Sequence, residues 1–158
     1  MDPQVDKLTG LIAYGKGDLD RAEREFRTAI EHLDGRMTRD CDVEYFLASS
    51  LVARKQWSPS APYFQSALGC YEDTEAGLRR RVGEIGASEM GADRKARLIA
   101  SKERDIAATQ AQQARAAYNA AVAYINAGDT LQSRPMAERA ARHPDFANQA
   151  QALLARIR

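Results

Sequence analysis

Apolar side chains return along this chain at helical spacing, and the alternating runs that mark strands are missing. The stretch GLIAYGKGDLDRAEREFRTAI, residues 10–30, shows the pattern at its clearest. It reads as two short helices with a break at Gly17-Asp18. Gly17 permits a tight turn, and Asp18 or Asp20 can cap the second helix. The small residues Gly10 and Ala22 allow two antiparallel helices to approach closely. Phe26 and Ala29, three apart, place one large and one small residue on the buried face of the second helix. Valine and isoleucine are scattered, while Ala, Arg, Glu, Gln and Leu dominate, all good helix formers. The pattern predicts an all-α chain.

The same arrangement recurs. In VEYFLASSLVARKQWSPSAPYFQSAL, Ala48 falls where Gly10 was, and Trp57 falls at the turn. Ser60 replaces Ala22, and Phe64 and Ala67 replace Phe26 and Ala29. Ser58-Pro59 fits an N-cap followed by a first helical position, where proline is tolerated. A third copy, AAYNAAVAYINAGDTLQSRPMAERAA, supplies Ala121, Gly128-Asp129, Ser133, Ala137 and Ala140. Here Ala137 stands in place of the aromatic and Pro135 sits early in the second helix, so this copy is degenerate. After it, HPDFANQAQALLARIR predicts a closing helix with Phe146, Ala150, Leu153, Leu154 and Ile157 on its buried stripe.

This spacing resembles the tetratricopeptide repeat, a helix–turn–helix unit of about 34 residues. That family carries small residues where Gly10, Ala22 and Ala29 stand, and an aromatic where Phe26 stands. The resemblance covers residues 3–33, 41–71 and 114–158. It implies an all-α, tetratricopeptide-like helical-hairpin stack, an α-α superhelix. The expected single domain, 1–158, holds repeats at 3–33, 41–71 and 114–143 and a capping helix at 144–158. Three units plus a cap meet the usual requirement for a stable stack. The plainer alternative is a generic α-bundle with coincidental Gly-Asp turns.

The period is broken once. Phe26 to Phe64 is a shift of 38 residues, whereas Ala67 to Ala140 is a shift of 73. Residues 72–113 therefore form an insert, and no Gly-Asp turn lies within it at the repeat's offset. TEAGLRRRVGEIG carries Leu78, Val82 and Ile85 on one helical stripe. A soft break follows from Gly86 to Gly91, and then Ala92 to Ala127 contains neither Gly nor Pro. One long helix is expected there, its last part serving as the first helix of the third repeat. Leu98, Ile99 and Ile106 would pair with the stripe from Leu78 to Ile85. The insert is expected to be an antiparallel helical hairpin projecting from the stack, tipped near Ser88 to Gly91.

Composition narrows the function more by exclusion than by direction. The chain has 158 residues, 44% hydrophobic and 28% charged, which is enough for one sizeable core. A formal net charge of +1 exerts no general pull towards nucleic acid or an anionic membrane. The basic residues Arg79, Arg80, Arg81, Arg94, Lys95, Arg97, Lys102 and Arg104 are interleaved with acids, and no aromatics sit among them to stack bases. They read as a solvated face with i,i+4 pairs, so no nucleic-acid partner is expected. No apolar run approaches the roughly 18 residues of a membrane span. MDPQVDK lacks the layout of a secretory signal. The protein is then cytoplasmic, or the chain is a processed or truncated piece.

No zinc spacing, phosphate-binding loop or nucleophile signature is present. His32 and His143 are isolated and read as surface or helix-capping residues. The expectation is therefore a non-enzyme without cofactor or metal. Cys41 and Cys70 fall at neighbouring ends of the second hairpin, close enough for a disulfide to be feasible. A bond would staple that repeat and point to an oxidising, periplasmic or otherwise extracytoplasmic compartment. Otherwise both are small, half-buried apolar residues in a cytoplasmic protein.

The resemblance implies a non-catalytic interaction module, a scaffold or adaptor that binds a peptide or partner domain. In that family the first helices line a concave face. Carried across, the partner-binding positions are Lys7, Leu11 and Tyr14, then Tyr45, Ser49 and Val52, then Arg115, Tyr118, Val122 and Ile125. For each, packing under a neighbouring repeat or the cap is the alternative. A carboxylate clamp of the chaperone-tail type would use Lys7, but Leu11 and Phe46 stand where it needs asparagines. The competing function is a structural or assembly subunit of a larger complex, one of the bacterial cell envelope among the candidates, that docks or self-associates through the inserted hairpin. The oligomeric state stays open.

Overall fold

The computed structural model describes residues 2–157, and the spacing of small and large apolar residues is realised there as seven α-helices without a strand. They are α1 (Pro3–Gly15), α2 (Leu19–Gly35), α3 (Cys41–Ala53), α4 (Trp57–Ala87), α5 (Ala92–Asn126), α6 (Thr130–Ala141) and α7 (Ala147–Arg156). None of these helices is long and apolar enough to cross a membrane. Four of them begin at an aspartate. Asp2, Asp18, Asp40 and Asp129 each accept a hydrogen bond from a backbone N–H of the first turn, removing donors the helix cannot satisfy itself.

The three hairpins, α1–α2, α3–α4 and α5–α6, are closed by the same turn. Asp18 N–H donates to Ala13 O at 2.9 Å, Gln56 N–H to Leu51 O at 2.9 Å, and Asp129 N–H to Tyr124 O at 2.8 Å. This six-residue closure needs a left-handed residue just before it. Gly17 (φ +80°) and Gly128 (φ +82°) supply it in the first and third hairpins. In the second, Lys55 takes φ +58°. The turn therefore lies at Lys55-Gln56, not at Trp57 with a Ser58 cap: Trp57 opens α4 and Gln56 precedes it without a side-chain cap. A lysine in this conformation costs about 1 kcal/mol, which explains why the turn is hard to see in the sequence.

Packing follows the repeated positions. Ala22, Phe26 and Ala29 are buried in the first hairpin, Ala48, Ser60, Phe64 and Ala67 in the second, and Ala121, Ser133, Ala137 and Ala140 in the third. Ser60 and Ser133 occupy matching places, and their hydroxyls donate to Trp57 O and Thr130 O. Pro62 and Pro135 also match, each inside the second helix of its hairpin, so the proline is common to two copies. Three cores result. Phe26 centres the one shared by α1, α2 and α3. Tyr45, Phe64, Leu68 and Tyr71 join a row of α5 alanines in the largest, and Ala121, Ala137 and Leu153 form the third.

The expected insert is not a separate piece. α4 runs unbroken through Tyr71 for 31 residues, and α5 for 35, so each helix begins or ends as part of a repeat and extends outward as an arm. At 1.5 Å per residue they are about 46 and 52 Å long. The arm's seam is thin. Ile85, Ile106 and Thr109 are buried, and Leu78, Val82, Leu98 and Ile99 are half-buried. At the tip, Lys95 Nζ donates to Gly86 O and Ser88 O at 3.0 and 2.8 Å, serving carbonyls that α4 leaves open. Along α4, Arg79 pairs with Glu75 and Arg81 with Glu84.

The tightest contact is between α1 and α2. A methyl group on Gly10 would lie 2.7 Å from Phe26 Cε1 and 2.8 Å from Cδ1. Phe26 is itself fully buried and has little room to move. Gly10→Ala is therefore expected to destabilise the chain by about 1–3 kcal/mol despite its better helix propensity. Urea unfolding followed by circular dichroism measures this; a neutral or stabilising effect would refute the close-approach account.

Candidate functional site: the face of α1, α3 and α5

Three side-chain links set the first helices of the hairpins side by side. Lys7 Nζ on α1 reaches Asp40 Oδ2 at 2.8 Å, the residue that caps α3. Tyr14 meets Phe46 edge-on, with ring centroids 5.8 Å apart. From α5, Asn119 Nδ2 donates to the Tyr45 hydroxyl at 2.8 Å. The expected partner-binding positions fall along this strip of α1, α3 and the second half of α5, but they are not equally available.

Tyr45 is in the core, 8% exposed, and touches Phe46 and Phe64 as well as Asn119. Burial pushes its hydroxyl above the ordinary tyrosine value, and the nearby Arg115 guanidinium works the other way. Lys7 is engaged by Asp40 and, at 3.8 Å, by Asp42. Leu11 and Tyr14 are half-buried against the Phe26 core, and Phe46 fills the space between Tyr14, Phe26 and Tyr45. Ser49 turns its hydroxyl to Tyr45 O at 3.0 Å and remains half-exposed, as does Val52. Tyr118 packs on Phe146, centroids 5.6 Å apart, and Val122 and Ile125 rest on the third core beside α7. The closing helix thus partly covers the α5 end of the strip.

Arg115 differs from its neighbours. Its guanidinium carbon lies 4.2 Å from the centroid of the Tyr45 ring, within cation–π range. Its Nε is buried and has no hydrogen-bond partner. Among the described residues no ion pair or hydrogen bond engages this side chain, whereas Lys7, Arg39 and Arg139 are all bonded. Beside it opens a pocket of about 230 Å³ lined by Ala111, Gln112, Arg115, Asp145 and Phe146. Gln112 also borders a second pocket of about 290 Å³, which runs past Asp40, Asp42, Tyr71 and Thr74 to Cys41.

Cys41, at the edge of that second pocket, is bonded to the buried Cys70, with sulfurs 2.02 Å and α-carbons 5.4 Å apart. The bond ties the first turn of α3 to the middle of α4. Beside it the Tyr71 hydroxyl donates to Asp42 Oδ1. Burial first, and the Asp42 carboxylate second, hold that hydroxyl far above its ordinary value, so it stays a donor. A third polar pocket, about 490 Å³, lies at the root of the arm between Glu75, Gln113, Arg139 and His143. There Gln113, 1% exposed, donates to Glu75 Oε1 at 2.9 Å and accepts from Arg139 Nη2, fastening α4, α5 and α6 together. The hydrogen bond from Gln113, followed by Arg79, holds the Glu75 carboxyl below its ordinary value.

Several of these partners escape sequence reasoning. Asn119 and Gln112 lie one turn on either side of Arg115 and could have been found from helical spacing. Asp145 and Phe146 come from the link between α6 and α7, some 30 residues away; the closing-helix pattern marks Phe146 as buried, but nothing local places either residue beside Arg115. His32 has its partner in another helix: Nδ1 lies 2.6 Å from Oδ2 of the buried Asp6 on α1. Compared with known proteins, the chain matches no protein-family model and no curated protein.

Two outcomes check the geometry. Replacing both cysteines, Cys41→Ser with Cys70→Ser, is expected to lower the unfolding free energy by about 2–4 kcal/mol, through the loop the bond closes. An intact mass measured without reductant that matches two free thiols would remove the bond itself. Glu75 has a depressed native pKa, so its contribution to stability is complete above the ordinary glutamate value of 4.5 and is lost as pH falls through the native value. Glu75→Gln should therefore flatten the acidic side of the stability–pH curve in thermal unfolding, and an unchanged slope would count against the network.

Proposed function

We propose that this chain is a non-catalytic protein-interaction module of tetratricopeptide type. It holds a peptide, or an extended segment of a partner domain, along the strip of α1, α3 and α5, which is the concave face in a stack of this kind. The observation that carries the reading is the linkage of the first helices side by side. Lys7 to Asp40, Tyr14 to Phe46 and Asn119 to Tyr45 make one continuous surface from three hairpins. That surface offers half-buried aromatic and aliphatic groups with polar groups among them, a composition suited to holding another chain. The bonded cysteines support an oxidising, extracytoplasmic setting.

The arm supports a narrower alternative, an assembly subunit docking through α4 and α5. On α4 Arg79 pairs with Glu75 and Arg81 with Glu84, and acids are interleaved among the other basic residues of the arm with no aromatics to stack bases, which argues against nucleic acid as its partner. Tyr45 is a poor probe of the strip because its truncation would open the core. Ser49→Arg places bulk on the half-exposed surface instead. Capture of a partner from an extract of the source organism should fall at least about tenfold with Ser49→Arg, by the cost of a misplaced side chain at an interface centre. Capture should survive Arg80→Glu on the arm. Loss with Arg80→Glu alone would transfer the function to the arm.

A further inference from the structure

We infer that α1 is a self-docking face. It pairs antiparallel with α1 of a second copy of this chain, and Asp2 of each copy meets Lys16 of the other. Val5, Leu8 and Ile12 lie three and four residues apart on one side of α1 and are 59, 59 and 58% exposed. Isolated aliphatic groups on a surface are ordinary, but a contiguous row of three marks a place of contact.

The second hairpin shows what this side of a first helix meets. The 38-residue shift carries Asp2, Val5, Leu8, Ile12 and Lys16 onto Asp40, Val43, Phe46, Ser50 and Arg54. There Asp40 pairs with Lys7 of α1, and Arg54 pairs with Glu23 and, at 2.9 Å, with Asp20 of α2. Phe46 packs on Tyr14 and Phe26, Val43 joins the Phe26 core, and Ser50 is fully buried. Acid, apolar row and base together form a stacking face, covered on α3 and bare on α1.

The charges select a second copy as the cover. Of the four charged side chains on α1 from Asp2 to Lys16, Asp6 is bonded to His32 and Lys7 to Asp40. An acid remains at one end of the face and a base at the other. Two α1 helices laid antiparallel about a two-fold axis at Thr9 bring both Asp2–Lys16 pairs together and set the aliphatic rows against each other. A parallel pair would oppose like charges. Beside Ile12 a groove of about 280 Å³, bordered by Lys16 and Arg21, receives the partner's Asp2 end; Asp18, also on its rim, is spent capping α2. At the far end of the stack α7 turns Asn148, Gln149, Gln151 and Arg156 to solvent. Head-to-tail stacking would press the aliphatic row onto those polar groups, so the association closes as a dimer.

α1 is about 20 Å long, which limits the contact to less than about 1,200 Å² and makes the dimer reversible. The two-fold runs perpendicular to both helices, so the strips of α1, α3 and α5 in the two copies face the same side. A long or bivalent partner then meets a doubled strip. Only this consequence rests on the interaction-module reading.

The test uses the full chain with its disulfide intact. In sedimentation equilibrium from about 1 to 500 μM, one chain should pass reversibly to two, as a contact of this size predicts. Leu8→Lys alters an exposed position, so circular dichroism should be unchanged while the midpoint concentration rises at least about tenfold. Lys16→Glu sets like charges together and should weaken the dimer more at low salt than at high. Arg80→Glu on the arm should leave the midpoint in place. In a mixture of unlabelled and isotope-labelled chain, carbodiimide should join Lys16 of one copy to Asp2 of the other, since within one copy they stand about 20 Å apart along α1. A single chain at every concentration would overturn the dimer and give the face to a further helical hairpin or another protein. Association that survives Leu8→Lys, or is lost with Arg80→Glu, removes α1 as the contact. Loss with Leu8→Lys but no link from Lys16 to Asp2 between copies rules out the antiparallel pairing.

Discussion

Everything in this fold depends on how closely two helices can lie when one of them gives up a side chain. Gly10 lets Phe26 approach α1 until no room for a methyl group remains. Ala48 opposes Phe64 in the next hairpin, and in the third the pair becomes Ala121 with Ala137. Each substitution along that series changes the volume between the helices, and the chain answers it. With Ala137 in place of the aromatic of the other two hairpins, Leu153 of the closing helix completes the cluster. The cap is thus part of the third core as well as a lid on the stack, and its approach is what brings Phe146 and Asp145 beside Arg115.

Polar residues take over where apolar packing thins. The largest core relies heavily on alanine along α5, which contributes little area per residue, and the root of the arm is tied by Gln113, Glu75 and Arg139 instead. Fully satisfied buried groups of this kind fix geometry, because a shift that breaks one bond leaves a donor or acceptor stranded. Asp6 with His32 joins α1 to α2 in the same manner, and Tyr71 with Asp42 joins α4 to α3. Arg115 departs from this rule, since its neighbours are satisfied and it is not.

The helical class, the repeated small and large positions and the arm were legible because each rests on residues near one another in sequence or on a period of fixed length. The sequence left Cys41 and Cys70 open between a disulfide and two free thiols. Phe26, Phe64 and Ala137 mark one place in three hairpins and are all buried as the pattern requires. The second turn was misplaced because Lys55 adopts a conformation that glycine takes in the other two copies, and no residue type signals it. The candidate strip was legible only as a face. The resemblance to the repeat family put Tyr45, Tyr118 and Arg115 on it, but whether a side chain is covered depends on what crosses it. Phe64 and Asn119 cover Tyr45, Phe146 covers Tyr118, and Arg115 is left with an open donor edge. Those coverings come from elements distant in the chain, so burial of each face residue was beyond local reasoning.

The continuity of α4 gives the disulfide a mechanical meaning. Cys70 sits inside a helix that runs on to Ala87 without interruption, about 26 Å further at 1.5 Å per residue. A load applied at the tip of the arm is carried down an unbroken ladder of backbone hydrogen bonds and arrives at a covalent link to α3. The arm behaves as a lever whose fulcrum is bolted to the helix that also carries Ser49 and Val52. Force on one end is delivered as torque to the middle hairpin, with no hinge between them to absorb it.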